Sequence, residues 1–425
     1  MSEIARFEDV DFLTDASLVD DPYPYYAYLR ECPVRSSGPH DMVTVTGWEE
    51  GVEVWRDVDT FSSCNAFGGP FPGLPVEIDT DDTDDIGALI EQHRDAYPIS
   101  EHFVTFDPPM HAMHRGLMMR LMTPKRLEEN EAFMWALSDR LIDAFASRGA
   151  CEFTKEYAHG FALLNIADLL GVPEEDHAML RSQFESYTAG ALTGTAGAGP
   201  FGFLDDVFVE YVEDRRRAPR DDVMTKLAQA TFPDGSMPEV LDVVRIAAFL
   251  FAAGQGTTAH MMASLLQRLA TRPELQTRLR DDRTLVMPFV EETLRLESPT
   301  KVTFRLARRS TEVAGVPVPA GTTLMIMPGA INRDARHFDD ADELDVDRAN
   351  TRDHVAFGRG IHACPGQALA RTEARVSLNR LLDRLDDVRL DETEHGPAGS
   401  PRYHYNPSFM LRGLQALHLE FTARS

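Results

Sequence analysis

The chain has little cysteine and a shortage of positive charge. It contains 4 cysteines in 425 residues, and 42 lysines and arginines stand against 69 aspartates and glutamates, which gives a formal net charge of −27. The cysteines form no CxxC pair, so no disulfide framework is expected and a reducing, cytoplasmic compartment is favoured. The negative charge disfavours nucleic acid or an anionic membrane as a partner, because both would repel the chain. The cysteines are Cys32, Cys64, Cys151 and Cys364.

Long apolar runs and linkers are also missing. The N-terminus is acidic and lacks the basic and apolar segments of a signal peptide. The longest apolar stretch, Ile246–Gly254, is shorter than the ~20 residues that cross a bilayer. With 43% hydrophobic and 26% charged residues, the composition is typical of a soluble globular protein. The length alone allows one large domain or several ordinary ones.

Helical periodicity dominates what is present. The helix predicted over Pro238–Arg272 is apolar on nearly all sides in its middle, which indicates a core helix. The other predicted helices are Pro108–Met122, Asn130–Arg148, Phe161–Leu170, Leu285–Leu296 and Gln367–Leu385. Short strands are predicted at Met42–Thr46, Thr303–Ala307, Val313–Val318 and Thr322–Met327, with turns at Gly315 and Pro319–Gly321. The predicted fold class is mainly α with a small, mostly antiparallel β part.

A long loop is predicted over residues 62–105, which are rich in glycine and proline at their start. Its acidic run, Asp79–Asp85, lacks the glycine and terminal glutamate spacing of an EF-hand. We therefore interpret the run as a solvated loop and not as a calcium site. A loop of this length inside a compact domain is often a lid or a binding loop.

The most informative segment is FGRGIHACPG, from Phe357 to Gly366. Its glycines permit positive φ angles and a close approach to a bulky group. Proline is favoured at the first helical position, so Pro365 predicts that Cys364 is an N-cap residue whose thiolate is stabilised by the helix amides and dipole. From these residues alone, a buried structural cysteine, a catalytic nucleophile and a metal ligand all remain open.

The whole segment resembles the haem-binding signature of the cytochrome P450 family, Phe-Gly-x-Gly-x-His-x-Cys-x-Gly, at every fixed position. The resemblance implies haem b with Cys364 as its axial thiolate ligand and Phe357 as a shield of the sulfur. It also implies that His362 contacts a propionate and that Gly358 and Gly366 lie against the cofactor. A single triangular haem domain over residues 1–425 is expected, with an N-terminal arm over about residues 1–20 and a substrate-access loop over residues 62–105.

Three other stretches resemble parts of the same family. DPPMHAMHR, residues 107–115, is similar to the opening of a helix beside the haem, and implies that His111 and Arg115 contact propionates. Arg305 matches a strand arginine at the other propionate. Glu292 and Arg295 match the family's ExxR pair, and Arg348 is the candidate third member of that structural triad.

The predicted core helix contains Ala253-Gly254-Gln255-Gly256-Thr257-Thr258, which resembles the family's oxygen-binding AGxxTT signature. The resemblance implies that Gly254 makes room for dioxygen, that Ala253 faces the haem and that Thr257 can donate a hydrogen bond to the distal oxygen. The position before Thr257 usually carries an acid, but here it is Gly256. Another acid, ordered water or Gln255 must then deliver protons, unless peroxide is the oxidant. Gly256→Asp is expected to raise the coupling of electron consumption to product.

Apolar candidates around this helix predict a small hydrophobic substrate such as a terpenoid, steroid, aromatic or fatty compound. Lys301 is interpreted as solvent-facing or paired with an acid in preference to a substrate carboxylate. The candidate substrate-binding residues are Phe67, Phe71, Phe249, Ala253, Thr300 and Thr303.

The chain has no flavin or iron–sulfur motif, so the resemblance implies electrons from a ferredoxin or flavodoxin with a reductase. Arginines near the cysteine segment could dock such an acidic partner, although scattered solvated arginines explain them equally well. They are Arg120, Arg359, Arg371 and Arg375. A monomer is expected.

Dioxygen insertion by a haem-thiolate monooxygenase is thus the predicted function. Two alternatives stay open: a peroxide-driven or non-oxygenating haem-thiolate enzyme, prompted by Gly256, and a haem-containing protein that binds a hydrophobic ligand without turnover.

Overall fold

The computed structural model describes residues 7–8, 10–36, 40–76, 78, 85–180, 182 and 202–424. The main helices, in chain order, are α1 Tyr23–Arg30, α2 Trp48–Arg56, α3 Gly87–Gln92, α4 Met110–Met119, α5 Pro124–Ala146, α6 His159–Leu170, α7 Gly202–Arg217, α8 Val223–Ala228, α9 Val240–Ala270, α10 Pro273–Asp281, α11 Val286–Leu296, α12 Pro328–Ile331, α13 Gln367–Arg384 and α14 Glu392–His395. The strands are β1 Val34–Ser36, β2 Val43–Val45, β3 Phe61–Ser62, β4 Ala150–Glu152, β5 Thr303–Ala307, β6 Thr311–Val313, β7 Val316–Val318, β8 Thr323–Ile326, β9 Leu385–Leu390 and β10 His418–Ala423. The predicted α+β class is confirmed.

The chain falls into two compact units that interleave along the sequence. Unit 1 comprises Met1–Ala112, Leu294–Cys364 and Pro407–Arg412. Unit 2 comprises Met113–Thr293, Pro365–Asn406 and Gly413–Ser425.

Unit 1 is built around a sheet of order β1-β2-β8-β5-β3. The β2–β8 pair is parallel and the other neighbours are antiparallel. Strands β2 and β5 are almost continuously buried, because apolar side chains pack on both of their faces. The turn predicted at Gly315 is present, and it divides the segment Val313–Val318 into two strands. Ala314 and Gly315 have φ values of 49° and 80°, so the chain reverses there and forms the β6–β7 hairpin.

Unit 2 is built around α9, which packs against α6 and α7, while α5 packs against α6 and α13. Helix α9 begins with a reciprocal capping box between Glu239 and Asp242, which satisfies amides that the first turn leaves unpaired. By length and composition alone α9 could cross a membrane. The core helix of a soluble protein passes the same test, and α9 is largely buried by its neighbours in unit 2. Strands β4, β10 and β9 form an antiparallel sheet in the same unit.

The predicted helices are present with shifted ends. Helix α5 begins at Pro124 and not at Asn130, with Thr123 as an N-cap that accepts from the Arg126 amide. Its first turn is polar, so hydrophobic periodicity did not reveal it. Helix α7 was not predicted because it is highly charged. Within the predicted acidic loop, only Asp85 lies among the described residues of the run Asp79–Asp85, and it pairs with Arg309 at 2.8 Å.

Candidate functional site

The cysteine segment in unit 1 is shaped by its glycines. Gly358 and Gly360 have φ values of 65° and 73°, in the region where a side chain is disfavoured. A Cβ on Gly360 would also lie 2.3 Å from the carbonyl oxygen of Trp55, so this glycine is required for packing as well. The amide of Cys364 donates to the carbonyl of Phe357 at 2.8 Å. The loop thus folds back on itself and holds Cys364 partly exposed.

The predicted N-cap position of Cys364 is wrong. Helix α13 begins at Gln367, and its N-cap is Gly366, with φ −80° and ψ 3°. Pro365 and Gly366 form a turn instead of the first helical residues. Cys364 therefore precedes the N-cap residue by two positions.

Arg305 is the most informative cation of unit 1. Its side chain is buried, at 4% exposure, and its Nη1 donates to the carbonyl of Phe304 at 2.7 Å. Its Nε has no hydrogen-bond partner within the described part of the chain. Burial lowers the pKa of Arg305 to about 10, against the opposing charges of Asp107 and Cys64. The guanidinium thus stays charged at neutral pH, and a buried charge of this kind requires an anionic partner.

Two predicted propionate contacts lie together in unit 1. The ring centroids of His111 and His362 are 4.1 Å apart, and His111 is 2% exposed. The third, Arg115, is partly buried and belongs to unit 2. His114, on the same helix, approaches Asp242 at 3.5 Å, and so links α4 to the capping box of α9.

The predicted structural triad is partly visible in unit 1. Arg295 is fully buried and donates to the carbonyls of Asn332 at 2.8 Å and Glu343 at 2.9 Å. Arg348 donates to the same Glu343 carbonyl at 3.3 Å, so both guanidiniums hold one loop. Glu292 is also fully buried, but it lies in unit 2.

The middle of α9 in unit 2 is more exposed than the rest of that core helix. Ala253 is exposed, and Gly254, Gly256 and Thr257 are partly exposed, although the turns on both sides are buried. A Cβ on Gly256 would meet nothing within 4 Å, whereas one on Gly254 would lie 3.5 Å from Ile166 of α6. The space beside Gly256 is therefore open, whereas Gly254 faces α6, and that Gly254 makes room for dioxygen stays a prediction. Thr257 Oγ1 donates to the carbonyl of Ala253 at 2.8 Å.

Taken one unit at a time, these features are compatible with the binding of one haem. Unit 1 offers a partly exposed cysteine on a glycine-shaped loop and a buried, incompletely bonded guanidinium. Unit 2 offers an exposed, small-residue turn in an otherwise buried helix. An anionic planar cofactor with a thiolate ligand matches both sets of residues.

The candidate substrate residues divide into two groups. Phe249 is buried, at 9% exposure, and Phe67 is partly buried. Phe71 is 49% exposed and its ring meets the edge of His40 at 4.9 Å. Thr303 Oγ1 accepts from the indole of Trp55 at 3.2 Å. Thr300 pairs with Leu411 in an isolated bridge.

Lys301 does not behave as expected. It is 4% exposed, so it does not face solvent, and no acid lies at ion-pair distance among the described residues. Its ammonium lies 5.4 Å from the ring centroid of Phe12. Burial, followed by the charge of Arg412, lowers the pKa of Lys301 to about 8.

The proposed docking arginines are largely engaged. In unit 2, Arg371 forms a bidentate pair with the buried Glu291 at 2.7 and 3.0 Å, and Arg375 pairs with Glu131 at 2.7 Å. Arg120 donates to the Thr231 carbonyl at 2.9 Å, and in unit 1 Arg359 donates to the Asp353 carbonyl at 2.7 Å. Two of these four charges are thus balanced by acids, which weakens the basic patch that the sequence suggested.

Comparisons with known proteins agree with this chemistry. The family model "Cytochrome P450" matches residues 192–397. Cytochrome P450 144 of Mycobacterium tuberculosis is 31% identical and covers 97% of this chain and 92% of its own length. Cytochrome P450 monooxygenase PikC of Streptomyces venezuelae is 30% identical, with coverage of 94% and 91%. The substrate-free structure of Mycobacterium marinum cytochrome P450 CYP150A6 has a TM-score of 0.92 and 50% identity and covers 99% of this chain and 100% of that one.

The chain therefore belongs to the cytochrome P450 family. It is an oxidoreductase that binds haem through an axial cysteine thiolate, and its relatives are bacterial monooxygenases.

Proposed function

We propose that this enzyme inserts one atom of dioxygen into a small hydrophobic substrate, with Cys364 as the axial ligand. Electrons would come from a separate ferredoxin or flavodoxin and its reductase. The observation that supports this most strongly is the Phe357–Gly366 loop, whose positive-φ glycines and internal hydrogen bond present the cysteine outward. The whole chain would act as a single catalytic domain, as a monomer in the cytoplasm.

The residues of unit 1 would hold the cofactor. Arg305 would bind one propionate, and His111 with His362 the other. Phe357, Gly358 and Gly366 would shape the ligand loop around Cys364. In unit 2, Arg115 would add a cation for a propionate. Arg295 and Arg348, with Glu292, would brace the fold behind the site.

The bound haem supplies the oxygen-activating chemistry, and thiolate ligation favours cleavage of the O–O bond. Thr257 would hold a proton at Oγ1 and donate it as a hydrogen bond to dioxygen. Ala253 and the open space at Gly256 would leave room for it, and Gly254 would allow α6 and α9 to pack closely.

The substrate would contact apolar side chains, principally Phe249 and Phe67, and Ala253 and Thr300 are further candidate contacts. The exposure of Phe71 and the engagement of Thr303 by Trp55 give these two residues smaller roles. A panel of steroids, terpenoids, aromatic compounds and fatty acids can be screened for the shift in iron spin state that occurs when a substrate displaces water. At least one apolar class should give a saturable shift, and a response only to strongly polar compounds would contradict the substrate class.

The ligand assignment is tested by the carbon monoxide complex of the reduced protein. Wild type should give the red-shifted Soret band of thiolate ligation, and Cys364→Ser should lose it entirely. Cys32→Ser, which changes an exposed cysteine, is the matched control and should keep the band. A wild-type complex without the band would overturn the assignment.

Peroxide-driven oxidation is a second candidate, because position 256 is a glycine and not an acid. Turnover with hydrogen peroxide alone, at rates equal to or above those with dioxygen and redox partners, would favour it. Substrate binding without turnover in either assay would identify a ligand-binding protein instead.

A further inference from the structure

Lys301 is a buried cation of unit 1 whose charge is not balanced by an acid of the described residues. It is 4% exposed, and no acid among those residues contributes to its pKa. Its ammonium instead lies 5.4 Å from the ring centroid of Phe12. A cation–π contact of this kind offsets only part of the cost of burying an ammonium. The side chain thus occupies an environment that favours the arrival of an anion.

The buried acid that precedes Lys301 in the chain is already engaged. Glu297 is 4% exposed, and its Oε2 accepts from Arg412 Nε at 2.9 Å and from the Tyr23 hydroxyl at 2.6 Å. Burial, followed by the charge of Arg412, lowers the pKa of Lys301 to about 8, so the ammonium is still largely charged at neutral pH. Because Glu297 balances Arg412, the charge of Lys301 remains in excess.

Apolar side chains lie beside Lys301 in the folded chain. The Lys301 amide donates to the carbonyl of Met410 at 2.7 Å, and Thr300 forms an antiparallel bridge with Leu411. Phe409, Met410 and Leu411 are only partly buried, although Phe409 and Met410 pack against a buried aromatic cluster of unit 1. Unit 1 therefore places an excess cation next to an apolar surface that its own residues leave partly open.

Both interpretations that the sequence favoured for Lys301 fail on this geometry. Its burial excludes a solvent-facing side chain, and no acid of the described residues pairs with it. A lysine that only filled space would be a poor choice, because an apolar side chain of similar length would avoid burying a charge. A cation beside a partly open apolar surface instead matches a ligand with an apolar body and one carboxylate.

We propose that Lys301 binds the carboxylate of the substrate, and that the substrate is an apolar monocarboxylic acid such as a fatty acid or a terpenoid acid. The proposal rests on the proposed monooxygenase function, because it names the substrate class of that enzyme. The ammonium donates charge-assisted hydrogen bonds to the carboxylate, and Phe409, Met410 and Leu411 contact the apolar body. Lys301 is thus a specificity-determining residue and takes no part in the oxidation.

Dodecanoic acid and its methyl ester separate the carboxylate from the apolar body, because the two compounds share one acyl chain. In the haem-loaded wild type, the spin-state titration should give a dissociation constant about tenfold to a hundredfold lower for the acid, since a charge-assisted hydrogen bond is gained. Calorimetry with the same two compounds measures this binding without the iron as reporter. Equal affinity of the wild type for the acid and the ester would overturn the proposal.

Lys301→Met removes the charge and keeps an unbranched side chain. The affinity for the acid should fall to that for the ester, and the affinity for the ester should not change. The matched control is Lys125→Met, which removes a lysine whose side chain is 85% exposed and should keep the full preference for the acid. A preference that survives in Lys301→Met would assign the carboxylate to another group of the protein and would also overturn the proposal.

The pH dependence provides a readout that a purely structural lysine would not give. The preference of the wild type for the acid should decline as the pH rises through about 8, because Lys301 then loses its proton. Lys301→Arg should keep its preference to higher pH, since a guanidinium stays charged. A wild-type preference that is unchanged well above pH 8 would contradict a contact between the carboxylate and Lys301.

The stability of the apoprotein tests whether the chain itself balances Lys301. In urea unfolding, Lys301→Met should be as stable as wild type or more stable, because an unpaired buried charge is removed. A clear loss of stability would reveal an acid partner within the chain and would contradict the proposal. Loss of the thiolate Soret band in wild type would instead contradict the proposed function, and would leave the calorimetric preference for the acid as a separate result.

Discussion

Each unit contains a buried ionisable group that lacks an ion-pair partner among the described residues, Arg305 in unit 1 and Glu373 in unit 2, and these two groups behave in opposite ways. Arg305 in unit 1 remains charged, because its pKa, although lowered by burial to about 10, stays above neutral pH. Glu373 in unit 2 is neutral, because burial raises its pKa to about 8. Similar burial therefore preserves a charge in one unit and removes it in the other.

The difference follows from the reference pKa of each group. The reference pKa of arginine lies so far above neutral pH that desolvation does not neutralise the side chain. Unit 1 therefore contains a buried cation whose charge only an anion can balance. The reference pKa of glutamate lies below neutral pH, and desolvation raises it above neutral pH. Unit 1 thus contains a buried cation, whereas unit 2 contains a buried neutral carboxyl.

Replacing the buried cation should give the largest effect in this comparison. Arg305→Leu should weaken haem retention by about tenfold to a hundredfold, because a charge-assisted hydrogen bond to a propionate is lost. The apoprotein should be as stable as wild type or more so, because an unpaired buried charge is removed. Haem transfer to excess apomyoglobin and urea unfolding of the apoprotein measure the two quantities.

Arg308→Leu is the control, since Arg308 is partly exposed and pairs with Asp85. Unchanged haem retention in Arg305→Leu would show that the cation in unit 1 is not a propionate partner. The different charge states of Arg305 and Glu373 would then have no consequence for cofactor binding.

The packing of unit 2 can be tested at Gly413. A Cβ there would lie 1.9 Å from Nδ1 of His260, and His260 is buried at 8% exposure. Gly413→Ala should therefore destabilise the protein by about 1–3 kcal/mol, measured by urea unfolding. Gly399→Ala, where a Cβ would meet nothing within 4 Å, should be nearly neutral. Equal stability of both variants would mean that this contact readily relaxes.

The smallest effect is expected in the pH dependence of wild-type stability, because His260 and Glu373 titrate in opposite senses. Burial, followed by the charge of His159, lowers the pKa of His260 from 6.5 to about 4. The folded state then binds fewer protons than the unfolded state, so stability is lost as the pH falls from 6.5 toward about 4. Glu373 acts in the opposite sense: its stabilisation is lost as the pH rises from 4.5 to about 8.

His260→Gln should accordingly lose less unfolding free energy than wild type between about pH 7 and about pH 5. Glu373→Gln should lose more over the same interval, because it no longer gains from the protonated carboxyl. Parallel pH profiles for both variants and wild type would refute the opposite burial effects in unit 2.

The sequence by itself determined those elements whose defining residues are adjacent in the chain. The Phe357–Gly366 segment specified its own shape, because glycines at positive φ encode a turn locally. The core character of α9 followed from uninterrupted apolar residues. Helix ends were less predictable. The N-cap of α13 is Gly366 and not the predicted Cys364, because Pro365 and Gly366 adopt a turn that depends on the surrounding packing.

Only the tertiary structure decided which polar residues meet. Glu373, Asn165 and Asn130 meet although they lie on three different helices, and each alone reads as an ordinary helical polar residue. Burial by apolar neighbours is what keeps Glu373 protonated and what encloses Lys301 beside Phe12. Desolvation depends on every surrounding atom, most of them distant in the chain, and no local pattern of residues encodes it.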